Sequence, residues 1–213
     1  MPRIILASQS PRRRELLAAL VEDFEVLPSR IDEPLTGDPD ADALRLATDK
    51  AREVAAGSPG AIVIGADTVV HDGQRAYEKP ADRADAIAMW HALRGRAHRV
   101  LTGVAVIANG QLHAGVSTAR VTLSALSDEA IERYADSGRP MDKAGGYAIQ
   151  DEDVPTVARL DGCYCCVVGL PLWRLAGLLR EAGIEPREPS ATFARCAACP
   201  ERPGASHPPD ASA

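Results

Sequence analysis

The chain has 213 residues, 46% of them hydrophobic but only 4% aromatic, and a formal net charge of −6. That length gives a core for one sizeable domain or two small ones, and the acidic balance argues against broad nucleic-acid or anionic-membrane binding. No apolar run approaches the ~20 residues of a membrane span, and the N-terminus lacks the apolar stretch of a secretory signal. The reading is a cytoplasmic protein with neither a nucleic-acid nor a membrane partner.

The first element is an apolar strand, Ile4 to Ala7, followed by a helix over Pro11 to Leu20. Ser10 is a good N-cap for that helix, and Pro11 suits its first position. The connecting turn, Ser8-Gln9-Ser10-Pro11-Arg12-Arg13, reads as an anion site. A helix N-terminus presents free N–H groups, and two guanidinium groups bind phosphate oxygens in bidentate fashion. Arg14 adds positive charge nearby. The helix dipole disfavours three arginines in a first turn unless an anion compensates them. A capped helix with a solvated basic turn is the plainer alternative.

A strand over Phe24 to Pro28 leads into a polar loop carrying Asp32 and Glu33. A helix over Ala41 to Ala56 follows, with acidic residues from Asp38 to Asp42 ahead of it and Lys50 late in it. The buried-looking strand Ala61 to Ala66 puts Asp67 at its C-terminal end, where open α/β sheets form ligand sites. Asp67 with Thr68 closing a turn is the alternative. Asp72-Gly73 marks a hairpin, Lys79 sits in the loop before Pro80, and a helix spans Arg83 to Leu93 behind Asp82.

Strands at His98 to Ala108 and Leu112 to Leu123 flank the hairpin turn Asn109-Gly110, so part of the sheet is antiparallel and a purely parallel doubly wound sheet is excluded. His98 reads as structural. A helix over Asp128 to Ser137 opens at Ser127. In Asp142-Lys143-Ala144-Gly145-Gly146-Tyr147 the paired glycines permit close approach of backbone to a ligand. The Gln150 carboxamide, both donor and acceptor, matches the N3–H and carbonyl edge of uracil or thymine.

Strands at Thr156 to Leu160 and Cys163 to Val168, the turn Gly169-Leu170-Pro171 and a helix over Leu172 to Ala182 complete a mixed α/β pattern. Residues 1–187 form one domain, and residues 188–213, rich in Pro and Ala and without apolar periodicity, form a flexible tail.

Five cysteines in a chain without an export signal point to reduced thiols. Cys196-Ala-Ala-Cys199 has a CxxC spacing, but no second Cys or His pair accompanies it in sequence and the nearby imidazole is His207. Unpaired thiols are therefore preferred to zinc or redox chemistry, with Cys165 and Cys166 as small buried hydrophobes. The carboxylates of Glu33 and Asp67 supply what a phosphate-handling arginine turn lacks, because Mg²⁺ favours one or two carboxylates plus substrate phosphates.

On these residues the chain resembles the Maf family of nucleoside triphosphate pyrophosphatases, also described as septum formation inhibitors. The resemblance covers Arg3 to Glu185. It rests on Ser8 to Arg13, Asp32-Glu33, Lys50-Ala51, Gly65-Ala66-Asp67-Thr68-Val69-Val70, Glu78-Lys79-Pro80, His98-Arg99-Val100-Leu101-Thr102-Gly103, Asp142 to Gln150, and Val167-Val168-Gly169-Leu170-Pro171-Leu172, in that order. It implies a two-lobed mixed sheet flanked by helices around a central cleft, a homodimer, and hydrolysis of a nucleoside triphosphate to monophosphate and pyrophosphate with Mg²⁺ or Mn²⁺.

Within the family the chain is similar to the dTTP/UTP type, through Arg12-Arg13, Ala66-Asp67-Thr68 and Lys143 to Gln150. The implied roles are Glu33 and Asp67 for the metal and Arg12, Arg13, Lys50 and Lys79 for the charge of the reacting triphosphate. Ser8, Ser10, Lys143, Tyr147 and Gln150 join the two arginines in holding substrate, and Asp67 orients the water. The run Asp151-Glu152-Asp153, where the dTTP/UTP type commonly has a glycine, adds negative charge beside base or phosphates. A 7-methyl-GTP pyrophosphatase and a non-enzymatic nucleotide-binding septation regulator are the alternatives.

Overall fold

The computed structural model describes residues 3–151 and 153–205. The elements run β1 (Ile4–Leu6), α1 (Pro11–Ala18), β2 (Glu25–Val26), α2 (Pro39–Ala56), β3 (Ile62–His71), β4 (Ala76–Tyr77) and α3 (Arg83–Leu93). They continue with β5 (Ala97–Ala108), β6 (Gln111–Leu123), α4 (Asp128–Asp136), β7 (Val157–Asp161), α5 (Tyr164–Val168), α6 (Leu172–Glu181) and α7 (Pro189–Thr192). One mixed sheet has the order β2-β1-β3-β5-β6-β7, with β4 on β3. The β1, β2 and β3 pairings are parallel, and the long central strands pair antiparallel through the Asn109-Gly110 turn.

The alternation of side chains along these strands explains the two lobes. On one face, Ile62, Ile64, Val104, Val106 and Ala119 join α1 and α6 in a first apolar cluster. Further along the same face, Val70, Val100, Val121 and Leu123 join α3 and α4 in a second, around Trp90 and Tyr134. Between them Thr68, Thr102 and Ser117 stand in cross-strand register, a polar seam where the lobes meet.

The opposite face receives α2, which lies against the sheet because two strand residues lack side chains. A Cβ on Gly65 would fall 2.2 Å from Ala47 O, and one on Gly103 would fall 2.0 Å from Ala43 O. Ala43, Ala47 and Ala51 give α2 a small-residue stripe against the strands, and Lys50 sits on the same buried side.

The helix expected over Pro11 to Leu20 ends at Ala18, and β3 runs to His71, beyond the expected end at Ala66. Two other readings are corrected. Cys163 to Val168, expected as a strand, is the one-turn helix α5. Gly162 and Gly169 flank it at φ 122° and 115°, and the Cys163 sulfur accepts from Cys166 N–H as N-cap. A short apolar run carries no period that separates a strand from a buried helical turn.

The expected flexible tail is docked over residues 188–205. Phe193 stacks on Tyr164, Trp173 Nε1–H donates to Cys196 O at 2.9 Å, and Cys196 and Cys199 are buried in the first cluster. Isolated anchors of this kind leave no periodicity in sequence. His207 lies outside the described residues.

Candidate active site

β3 is bordered on one edge by β1 at residues 62–64 and by β4 at residues 70–71. Between these pairings no described strand covers that edge, and Asp67 and Thr68 lie there. The gap opens into a cleft of about 670 Å³. The turn between β1 and α1 forms one wall of it, with Ser8, Ser10, Arg12 and Arg13 facing inward. Arg14 is exposed and lies outside the lining.

At the floor, Lys50 Nζ donates to Asp67 Oδ1 and to Glu33 Oε2, each at 2.6 Å. Lys50 and Asp67 are each only 7% exposed. Burial raises the Asp67 pKa, opposed by the charges of Lys50 and Arg13. Glu33 reaches the lysine because Asp42, itself buried, accepts from the N–H groups of Thr36 at 2.8 Å and Gly37 at 3.2 Å. Those bonds fold the loop bearing Glu33 back onto α2. Asp42 therefore secures a loop, a role beyond that of an acidic residue at a helix start. Asp32, by contrast, lies outside the cleft lining.

Arg13 is held on three sides. Its Nε–H donates to Gly169 O at 2.9 Å, Nη1 to Ser8 Oγ at 3.3 Å and Nη2 to Thr68 Oγ1 at 3.2 Å. Thr68 in turn bonds Thr102 Oγ1 at 3.0 Å, and Thr102 donates to Cys166 O at 2.7 Å. The relay fixes proton direction: with Thr102 donating to the carbonyl, Thr68 donates to Thr102 and keeps a lone pair for Arg13. Burial lowers the pKa of Arg13, with Asp67 and Glu33 opposing. Gly169, the C-cap of α5, thus also orients an arginine.

Arg12 donates to Asp142 Oδ2 at 2.8 Å, and Lys143 donates to Asp142 Oδ1 at 2.5 Å and to Arg139 O at 2.6 Å. One carboxylate therefore sits between two cations on the cleft wall. Lys79 stands exposed at the rim, and Gln150 is an exposed rim residue beside Ile149. All the residues named from sequence as catalytic, substrate-binding or metal-holding line this single cleft. Thr68 and Asp142, named from sequence only within longer motifs, line it too, and Thr102 stands behind Thr68; these three act through other side chains.

Three expectations change. The paired glycines, at φ 75° and 68°, approach protein: a Cβ on Gly145 would lie 3.1 Å from Val70 Cγ1, and one on Gly146 would lie 3.4 Å from Pro80 Cγ. Gly145 N–H donates to Glu78 O at 3.1 Å, which joins the Lys143 loop to the Lys79 loop. Tyr147 is 5% exposed and its hydroxyl lies 2.7 Å from His98 Nε2, so the ring, not the hydroxyl, contributes to the cleft. Burial depresses the His98 pKa to about 4. Asp151 accepts from the Tyr134 hydroxyl and Asp153 pairs with Arg139 at 2.5 Å, outside the cleft. Both carboxylates are thus engaged by side chains away from the cleft, and Glu152 lies outside the described residues.

Three curated relatives are named dTTP/UTP pyrophosphatase. The protein of Koribacter versatilis is 46% identical over 183 residues, covering 85% of this chain and 95% of its own. That of Geobacter sulfurreducens is 47% identical and covers 85% and 97%. That of Anaeromyxobacter dehalogenans is 47% identical and covers 85% and 95%. Residues 3–182 match the family model described as Maf-like protein, and the chain belongs to the Maf family.

Proposed function

We propose that this chain hydrolyses dTTP and UTP to their monophosphates and pyrophosphate. The observation that carries the reading is the buried Lys50, held between Asp67 and Glu33 at the floor of a cleft walled by the arginine-bearing first turn of α1. The relatives' shared name supports the same substrates.

The triphosphate meets the free N–H groups of the first turn and the guanidinium groups of Arg12 and Arg13. Arg12 exchanges Asp142 for a phosphate oxygen, while Arg13 is already oriented by Gly169 and Thr68. Asp67, its basicity raised by burial, accepts a proton from the attacking water. The oxygen attacks the α-phosphorus, the bond to the bridging oxygen breaks, and the electron pair leaves with pyrophosphate. Lys50 and Lys79 stabilise the charge that builds there. Gln150 at the rim reads the pyrimidine edge.

Lys50 engages one oxygen of each carboxylate, and the donor set that remains, Asp67 Oδ2 and Glu33 Oε1, fits the preference of Mg²⁺ or Mn²⁺ for carboxylates combined with substrate phosphates. A bound ion would neutralise phosphate charge and lower the pKa of water. Among the described residues no helix is long and apolar enough to cross a membrane. A cytoplasmic location and a homodimer belong to the same reading, the first supported by five unbridged cysteines.

Pyrophosphate release from dTTP, UTP, CTP and 7-methyl-GTP, with Mg²⁺, Mn²⁺ or chelator, tests this. Metal-dependent turnover of dTTP and UTP that collapses in Asp67→Asn is expected. Turnover of 7-methyl-GTP alone moves the chain to the other type, and binding without turnover overturns the enzymatic reading.

A further inference from the structure

The fold gathers four cysteines that the sequence scatters. Cys165 Sγ and Cys196 Sγ are 3.7 Å apart, and Cys163, close to both Cys165 and Cys199, is buried with them in one apolar cluster. The four residues are thus brought together, two from a Cys-x-Cys at the start of α5 and two from the Cys-x-x-Cys of the docked C-terminal segment. All four residues are buried. Cys166 stands apart, its sulfur donating to Ser117 O at 3.2 Å. Cys196 and Cys199 lie beyond residue 182, where the family match ends.

We propose that Cys163, Cys165, Cys196 and Cys199 form a tetrathiolate zinc site that fastens residues 188–205 to the core. The spacing fits. A tetrahedron with Zn–S bonds of about 2.3 Å has edges of about 3.8 Å, close to the separation of Cys165 and Cys196. The ligand pattern, two closely spaced pairs from separate segments, is the one structural zinc sites use.

As the side chains stand, no group of three or more His, Cys, Asp or Glu among the described residues could hold a metal ion, so the site requires the sulfurs to reorient. As thiols, Cys165 and Cys196 lie within hydrogen-bond reach of one another. Each ligand loses its proton to solvent as the metal binds, and the sulfurs then turn toward a common centre by side-chain rotation. Cys163 is prepared for this. The Cys166 N–H donates to its sulfur at 3.4 Å, a bond that strengthens when the sulfur is a thiolate. Arg195, over the Tyr164 ring at 4.2 Å, brings positive charge to the neighbourhood of a doubly negative site.

The site would also brace the nucleotide cleft indirectly, because α5 ends at Gly169, whose carbonyl holds Arg13.

The test uses the full chain, reduced and purified without a metal-affinity step. Zinc analysis is expected to find one ion per chain. After exchange into Co²⁺, the absorption of a tetrahedral cobalt tetrathiolate is expected, lost in Cys196→Ser and Cys199→Ser and kept in Cys166→Ser. Asp67→Asn also keeps it, which separates this site from any metal in the cleft. The wild-type spectrum decides the matter even if the serine variants fold poorly. Reduced wild type with neither stoichiometric zinc nor the cobalt–thiolate spectrum overturns the proposal, as does a Cys165–Cys196 disulfide in protein isolated under anaerobic conditions.

Discussion

Lys50 Nζ and Asp67 Oδ1 meet at 2.6 Å although one residue lies on a helix and the other on a strand. Their contact depends on two glycines that let α2 settle on the sheet. Lys50→Met removes the cation between two carboxylates and leaves Asp67 buried without its partner. Breaking such a pair costs about 3–5 kcal/mol, so the midpoint of denaturant unfolding is expected to fall clearly. Asp67→Asn keeps the shape and the Glu33 contact, and is expected to lower kcat by about 100-fold or more with the folded state retained. Parallel kcat and unfolding measurements on the two variants separate these effects.

The glycines themselves make a sharper test. A methyl group at Gly103 or Gly65 would overlap α2 backbone oxygens at 2.0 or 2.2 Å. Gly103→Ala is expected to destabilise by about 1–3 kcal/mol or more and to lower turnover, because α2 carries Lys50. Gly177, within α6, has no atom near its Cβ position, and Gly177→Ala is expected to stabilise by roughly 0.5–1 kcal/mol. Thermal melts of the two variants check both signs.

Thr68→Val removes the acceptor for Arg13 Nη2 and leaves Thr102 without a donor. The guanidinium then loses one of its three constraints. A fall of about 10-fold in kcat/KM for dTTP, with little change in melting temperature, is expected from misplacement of a phosphate ligand. Arg13→Lys is expected to be worse, since an ammonium cannot serve three acceptors in the fixed geometry of a fork.

His98 is 3% exposed and its pKa is depressed by burial to about 4. The unfolded chain, with an ordinary imidazole near 6.5, binds more protons between those values. Stability therefore rises with pH through this window, is fully present above about pH 6.5, and is lost as pH falls toward 4. The loss amounts to roughly 3 kcal/mol. Unfolding free energies of wild type and His98→Gln between these limits check it, and the variant is expected to lack this part of the slope.

Most helices were legible because their starts are written locally. Ser10, Asp82 and Ser127 each cap through a side-chain bond to the third residue on, and the Asp72-Gly73 and Asn109-Gly110 turns announced the antiparallel pairs. Cys163 to Val168 was not legible, because a six-residue apolar run carries no decisive period and its fate rested on glycines at both ends. The docking of residues 188–205 was equally hidden, since Phe193, Cys196 and Cys199 anchor as single residues.

By itself the sequence determined the arginine turn, the acid and base residues and the mixed sheet, because caps, turns and alternation act over a few neighbouring residues. Tertiary structure alone decided that Asp142 would sit between Arg12 and Lys143, that the Thr68–Thr102 seam would aim Arg13, and that Cys163 and Cys165 would meet Cys196 and Cys199. Those relations join residues up to 130 positions apart, and such contacts exist only once the long strands have set the register of everything packed upon them.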